Sequence, residues 1–276
     1  MAGGSCHYSR MTLRPLADLD ADLRQVLSQR LRVRWTHTST ALEGNTLSEG
    51  ETLGVLEYGL TIAGKPLAHH NEVLGHSRAM DLLDQMIGRA LAPADLFALH
   101  QAVQTAVVVD AFQPVGAWKV EPNSTLAKQG GKTVINDTYA FPADVPELMN
   151  AWLAELNQRC LADSADGFED YVWAHATFVR IHPFADGNGR MARLLANLPL
   201  LNRGQMPLLI PAEQRLAYIE ALATWQLACG PMKRGQPLMV QEEKLQPFQA
   251  LCVEAQAAAQ AMLDEVLQLQ QKRRLS

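Results

Sequence analysis

His182, Asp186, the turn Gly187-Asn188-Gly189, Arg190 and Arg193 fall within one short stretch, Ile181 to Arg193. Each is a residue type with a task in phosphate chemistry. An imidazole titrates near neutrality and can take a proton from a reacting hydroxyl. A carboxylate such as Asp186 can hold Mg²⁺ between phosphate oxygens. Glycines on both sides of Asn188 let successive backbone N–H groups form an anion nest and let a ligand approach the main chain closely. Two arginines add permanent charge and forked donors matched to phosphate. Together the set suits phosphoryl-type transfer from a nucleotide, with His182 as proton acceptor. Blander readings stand beside it. An isolated histidine is commonly a satisfied core residue, the glycines could serve a turn alone, Asp186 could cap the next helix, and Arg193 could be a solvated surface charge.

The flanking pattern says how these groups are positioned. Phe168 to Arg180 reads as a helix leading into the motif. After it, Met191, Leu194, Leu195 and Leu198 recur at helical spacing as an apolar stripe, and Arg190, Arg193 and Asn197 share another. The motif is therefore a loop feeding a helix N-terminus, where unpaired N–H groups and a partial positive charge favour an anion. Pro199 should kink or end that second helix. His175, two turns before the motif, is expected to make a structural hydrogen bond. His69, His70 and His100 have no ligand-like neighbours and read as surface or core residues.

Around this centre the chain reads as helical. Residues 1–14 lack periodicity, and Leu16, Leu19, Leu23, Val26, Leu27 and Leu31 then form an amphipathic stripe. Ser48-x-x-Glu51 is a capping box for a helix ending near Gly59. Residues 68–87 make a helix with Val73, Leu74, Met80, Leu83 and Ile87 inward, and Pro93 opens another through Leu96, Leu99 and Val103. From Val115 to Pro142 the helical period disappears. Thr125-Leu126-Ala127 and Thr133-Val134-Ile135 flank Gly130-Gly131, which predicts one β-hairpin. Helix resumes at Pro146, with Leu148, Met149, Trp152, Leu153 and Leu156 inward. Two more helices follow, Leu216 to Trp225 and about Val240 to Lys272, the latter with Phe248, Leu251, Ala255, Met262, Val266 and Leu269 on its packed face.

At 276 residues the chain can bury a sizeable core without metals or disulfides. A net charge of −5 argues against general nucleic-acid binding. Cys6, Cys160, Cys229 and Cys252 are scattered, which predicts reduced thiols in a cytoplasmic protein. No secretory leader pattern, membrane-spanning run or internal repeat is visible. Three regions are expected: 1–88, 89–210 around the motif, and 211–276.

His182-Pro183-Phe184-Ala185-Asp186-Gly187-Asn188-Gly189-Arg190-Met191-Ala192-Arg193 resembles the Fic family signature HPFx(D/E)GNGRxxR at every fixed position. The resemblance implies an all-α Fic-like core with one hairpin flap and flanking helices. It also implies transfer of AMP from ATP to a Ser, Thr or Tyr hydroxyl of a target protein, self-modification included. ATP would lie with its phosphates across Gly187, Asn188 and Gly189, with Arg190 and Arg193 on the polyphosphate, Mg²⁺ on Asp186 and His182 as base. Ser39-x-x-x-Glu43-Gly44 resembles the family's inhibitory motif (S/T)xxxE(G/N), which implies pairing of Glu43 with Arg193. Read from the residues alone, Thr40-Ala41-Leu42-Glu43 is itself a capping box that starts a helix, and the residues alone favour that reading. The hairpin, with Thr133, Val134 and Ile135, matches the family's target-docking flap. Gly116-Ala117-Trp118-Lys119 resembles a G-x-aromatic-R stretch with lysine in place of arginine. The flap is several residues longer than usual. Alternatives are removal of AMP at the same site, transfer of another phosphate-containing group, or a non-catalytic nucleotide-binding regulator. A homo-oligomer is compatible with all of these.

Overall fold

A computed structural model describes residues 18–105, 110–129, 131–162 and 166–275. The unpatterned start at 1–14, Leu16, Cys6 and Gly130 lie outside the described residues. The helices are α1 (Ala21–Ala41), α2 (Glu49–Tyr58), α3 (Leu67–Asp84), α4 (Pro93–Val103), α5 (Val145–Leu161), α6 (Phe168–Ile181), α7 (Asn188–Leu195), α8 (Leu198–Asn202), α9 (Arg215–Cys229) and α10 (Gln246–Leu275). Between α4 and α5 stands one antiparallel hairpin, β1 (Thr125–Gln129) and β2 (Lys132–Asn136), as the sequence pattern predicts.

Helix α6 is the axis of the bundle. Every residue from Tyr171 to Ile181 is buried, the condition of a helix covered on all sides. Two of its polar side chains bond neighbouring elements: Thr177 Oγ1 accepts from Trp152 Nε1 at 2.9 Å, and Arg180 donates to the Leu238 carbonyl at 2.9 Å. One apolar core extends from Leu19 on the N-terminal side to Val266 in α10. Ser48 and Glu51 form the expected capping box at the start of α2, and Gly59 ends it at φ 62°.

Five expectations need correction. Val26, counted in the apolar stripe of α1, is 48% exposed, because the covered face runs through Leu23, Leu27 and Leu31 and Val26 lies beside it. Thr40 does not start a helix, since α1 continues through Ala41. Thr40 Oγ1 therefore bonds back to the Thr36 carbonyl at 2.9 Å, and the Glu43 amide donates to the Thr40 carbonyl. Glu43 sits in the turn that ends a helix, so the capping-box reading fails. Leu74 is 40% exposed, because α3 is covered along the stripe of His70, Val73, Ser77, Met80 and Leu83 and Leu74 lies beside it. Leu269 is also exposed, because Gln270 takes the inward place by bonding the Asp20 amide and the Asp18 carbonyl. Finally, the break after α7 comes at Ala196 and Asn197, before Pro199. The Asn197 side chain grips Leu208 through both its amide and its carbonyl, and Pro199 falls in the first turn of α8, where a missing N–H costs nothing.

The hairpin pairs Thr125 with Asn136 at its base and Gln129 with Lys132 beside the turn. Leu126 and Ile135 face each other across the strands, and both are exposed. Asn136 is anchored to α9 by a 2.6 Å bond from Nδ2 to Gln226 Oε1. Among the described residues no helix is long and apolar enough to cross a membrane.

Candidate active site

His182 is the C-cap of α6 and holds the left-handed conformation, φ 55° and ψ 59°. That conformation is unusual for a side-chain-bearing residue. It turns the chain out of the helix and into the loop. Nδ1 lies 3.1 Å from the Val179 carbonyl. A carbonyl can only accept, so Nδ1 carries the proton and Nε2 presents a lone pair. The ring stacks on Tyr139 with centroids 3.9 Å apart. Burial, aided by the Lys119 ammonium, pushes the His182 pKa down to about 3 against the opposing Val179 bond. At neutral pH the imidazole is therefore an unprotonated acceptor. Lys119 is itself pushed down to about 8 by burial, and its Nζ donates to Asn123 Oδ1 at 2.7 Å.

The loop from Phe184 to Asn188 is closed by the Asn188 side chain, which accepts from the Phe184 amide at 2.9 Å and donates to the Phe184 carbonyl at 2.8 Å. Asn188 thus shapes the loop with its side chain. Gly187 caps α7 at φ 78°, a conformation that glycine adopts without strain. Beyond it, the first amides of α7 have no acceptor within the helix. His100, which has no motif around it, braces the loop from α4. Its ring stacks on Phe184 at 3.9 Å and 9°. Its Nδ1 accepts from the Gly116 amide at 2.9 Å, so Nε2 donates to the Asp186 carbonyl at 3.0 Å. Burial lowers the His100 pKa to about 4.

Asp186 Oδ2 accepts from Gln104 Nε2 at 2.7 Å and from Arg190 Nη2 at 3.2 Å. Partial burial acts to raise its pKa, but the Gln104 bond, the Arg190 charge and the Gly187 amide outweigh it and hold the carboxyl below its ordinary value. It is ionised and its side chain is well exposed. Gln104 is a second residue that the motif did not announce; with His100 it forms an i,i+4 polar pair at the end of α4, a visible signal. Among the described residues there is no group of three or more His, Cys, Asp or Glu side chains able to cage a metal. A single exposed carboxylate beside an anion nest still fits Mg²⁺, which takes one or two carboxylates and completes its shell with water and phosphate oxygens.

Arg193 is buried and fully engaged. Nε donates to Ser39 Oγ at 3.1 Å, Nη2 to the Ser39 carbonyl and to Glu43 Oε1 at 2.7 Å each, and Nη1 to Tyr218 OH at 3.2 Å. Burial opposes its charge, but Tyr218 and Glu43 more than offset this, and its pKa stays raised. The Glu43 carboxylate lies directly over Gly189: a Cβ added there would collide with Glu43 Oε1 and lie 3.0 Å from Arg193 Nη1. The anion cradle of α7 is thus filled by a carboxylate from the end of α1. Tyr218 is a third residue without a motif, and it also pairs with His175 Nε2 at 3.0 Å, giving that histidine the expected structural bond.

The chain so brings His182, Asp186, Gly187, Asn188, Gly189, Arg190, Arg193, Ser39 and Glu43 to one place, with Gly44 at φ 103° closing the turn. The hairpin reaches this site through its base. Tyr139, stacked on His182, bonds Thr125 Oγ1 at 2.7 Å and Asn136 Nδ2 at 3.3 Å. Thr133, Val134 and Ile135 lie further out along β2.

A helical bundle carrying one antiparallel hairpin is the fold that this chain shares with solved Fic-domain structures. Residues 90–200 match the family model described as Fic/DOC, so this part of the chain is a Fic/DOC domain. It is similar over 94% of its length to a Fic domain-containing signalling protein of Bacteroides thetaiotaomicron, with a TM-score of 0.75, 25% identity and 95% of that chain covered. It also resembles Fic-1 of C. elegans, with a TM-score of 0.65 and 27% identity, over 92% of this chain and 72% of that one. Among curated proteins, the protein adenylyltransferase fic-1 of Caenorhabditis briggsae is 32% identical over 206 residues, 72% of this chain. The protein adenylyltransferase fic-1 of Caenorhabditis elegans is 31% identical over 204 residues, again 72% of this chain. This chain covers 38% and 37% of those two proteins, well under half their length.

Proposed function

We propose that the chain is a protein adenylyltransferase, moving AMP from ATP to a hydroxyl of a target protein and restrained by Glu43. The observation that carries the reading is the carboxylate of Glu43 lying in the Gly189–Arg193 cradle, the position an ATP phosphate would take. A site that holds an anion through a guanidinium and a helix N-terminus is suited to phosphate. In this reading Gly187, Asn188 and Gly189 receive the phosphates through their amides, and Arg190 and Arg193 flank them. The target hydroxyl attacks the α-phosphorus in line, the bond to the bridging oxygen breaks, and pyrophosphate leaves. His182 Nε2 takes the hydroxyl proton. Its low pKa keeps it ready as an acceptor, and the approach of polyphosphate charge raises its basicity when ATP binds. Asp186 would hold Mg²⁺, which when bound neutralises phosphate charge. The catalysis is positioning plus electrostatics.

The region up to residue 88 would supply Glu43, the core from 89 to 210 the chemistry, and the region from 211 the support behind Arg193. The hairpin would present the target, since β2 has an open edge for strand addition and Ile135 offers an apolar contact. Free thiols at Cys160, Cys229 and Cys252 suit a reducing, cytoplasmic setting.

Incubation with ATP labelled on the α-phosphate, in parallel with ATP labelled on the γ-phosphate, tests the reaction. Label on protein from the α position alone is expected, and His182→Ala should reduce it by about 10²–10⁴-fold while ATP binding persists. Label from the γ position would mean phosphorylation. ATP retained with no label from either would mean binding without transfer. Either result overturns the reading.

A further inference from the structure

Helix α9 lies outside the residues matched by the family model and carries no recognisable motif. Two of its side chains nevertheless touch Arg193 and the residue that precedes Glu43. Arg215 Nε donates to the Leu42 carbonyl at 2.7 Å. One turn further on, Tyr218 OH accepts from Arg193 Nη1. Leu42 is the C-cap of α1, and Glu43 follows it directly. Carbonyls in a helix's last turn lack intrahelical partners and carry partial negative charge, so a guanidinium is their natural complement. The end of α1 therefore carries two such caps, Arg193 on the Ser39 carbonyl and Arg215 on the Leu42 carbonyl. The first holds the carboxylate of Glu43, and the second fixes the backbone from which that carboxylate projects. Helix α9 also carries Gln226, bound to Asn136 at the base of the hairpin. One rigid element thus joins the hairpin to the turn that bears Glu43.

We propose that Arg215 is a positioning residue that sets how firmly Glu43 is held in the phosphate cradle, by clamping the Leu42 carbonyl to α9, while Tyr218 keeps Arg193 aimed at the same point. This rests on the reading that Glu43 restrains AMP transfer. ATP displaces only a side chain while the clamp is closed, and the backbone returns that side chain as soon as the site empties. With the clamp open, the turn itself can leave.

The test compares the wild type, Glu43→Gly, Arg215→Met and the double variant, each as the full chain. Met keeps the aliphatic stem and removes the donors. Arg215→Met is expected to raise α-label incorporation by roughly threefold or more, the loss of one charge-assisted hydrogen bond from the restrained state, without reaching the Glu43→Gly rate. In the Glu43→Gly background it should add nothing. Amide exchange should quicken at Gly44 and Asn45, whose N–H groups bond the Ala41 and Thr40 carbonyls. A merely structural residue would shift stability in both backgrounds alike. If Arg215→Met does not fold, Arg215→Lys, which retains charge but loses the fork, carries the same comparison with a smaller rise. A gain in Glu43→Gly together with wild-type rate and exchange in the Arg215 variant overturns this inference alone. An equal gain with and without Glu43 does the same. No gain in Glu43→Gly removes the restraint reading itself, and with it the role given to Arg215.

Discussion

Replacing Glu43 with glycine removes one carboxylate and leaves nearly everything else in place. Arg193 keeps the Ser39 carbonyl, Ser39 Oγ and Tyr218 OH, so its guanidinium stays where a phosphate would meet it. What is lost is a 2.7 Å ion pair whose arginine side chain is 4% exposed and whose glutamate is 41% exposed. The buried partner strengthens the pair, and the half-exposed one screens it. A coupling between two ligands of one site is typically worth about 1–3 kcal/mol. With that screening the lower part of the range applies, about 1–2 kcal/mol, or roughly 5- to 30-fold. Glu43→Gly should therefore raise the initial rate of α-label incorporation, into itself and into target, by that factor at sub-saturating ATP. The advantage should shrink as ATP rises, because ATP and Glu43 compete for the same guanidinium. The stability cost should be small, about 1 kcal/mol or less. A variant that binds ATP as tightly as the wild type and transfers AMP no faster would refute the reasoning, whatever its Tm.

Asp186→Ala should shift half-maximal activity to higher Mg²⁺ concentration and lower the rate, and an unchanged Mg²⁺ titration would leave Asp186 as a loop residue. Gly189→Ala pushes a methyl into the space of the Glu43 carboxylate, so it should release Glu43 yet still lose ATP affinity by isothermal titration; a gain in transfer would show that the cradle lies elsewhere. His76, His175 and His182 are pushed down to about 3 and His100 to about 4, in each case first by burial. The unfolded chain takes these protons near pH 6.5, so below that pH it binds more protons than the folded state and stability falls as pH falls. Each group contributes on the order of 1 kcal/mol per pH unit between about 6.5 and 4, and a Tm that stays flat from pH 7 to 5 would contradict the buried neutral imidazoles. Ile135→Asp together with Leu126→Asp, on the exposed face of the hairpin, should reduce target modification while leaving ATP binding unchanged, and equal labelling of the target would exclude docking there.

The loop from His182 to Asn188 was legible because its constraints are local. Helical periodicity on both sides, two glycines and two arginines one turn apart leave few ways to fold, and the stripe of Met191, Leu194, Leu195 and Leu198 is buried throughout. Glu43 was half legible. Its residues fit a helix start as well as a helix end, and only the continuation of α1 through Ala41, a consequence of tertiary packing, decides between them. The roles of His100, Gln104 and Tyr218 were illegible for a different reason, even though His100 and Gln104 stand out as a polar i,i+4 pair. Their partners lie 86, 82 and 25 residues away, and no periodicity reports a bond of that kind. Leu74 and Leu269 show the limit of apolar stripes, which mark faces able to pack but not how wide a neighbour covers them.

Glu43 and Arg193 stand 150 positions apart in one chain, and under the proposed function this fixes the terms on which ATP competes. A restraint supplied by a separate protein weakens with dilution and vanishes when that protein is absent. A carboxylate tethered through α1 presents itself to Arg193 at a constant effective concentration, in the millimolar range or above for short tethers. The quantity that ATP must exceed is then a property of the molecule and does not change with how much of it a cell makes. Under the proposed function, a single copy and a thousand copies per cell answer the same nucleotide level with the same fractional activity. The level at which they respond is moved only by changes to the turn at Leu42–Gly44 or to the helices that hold it.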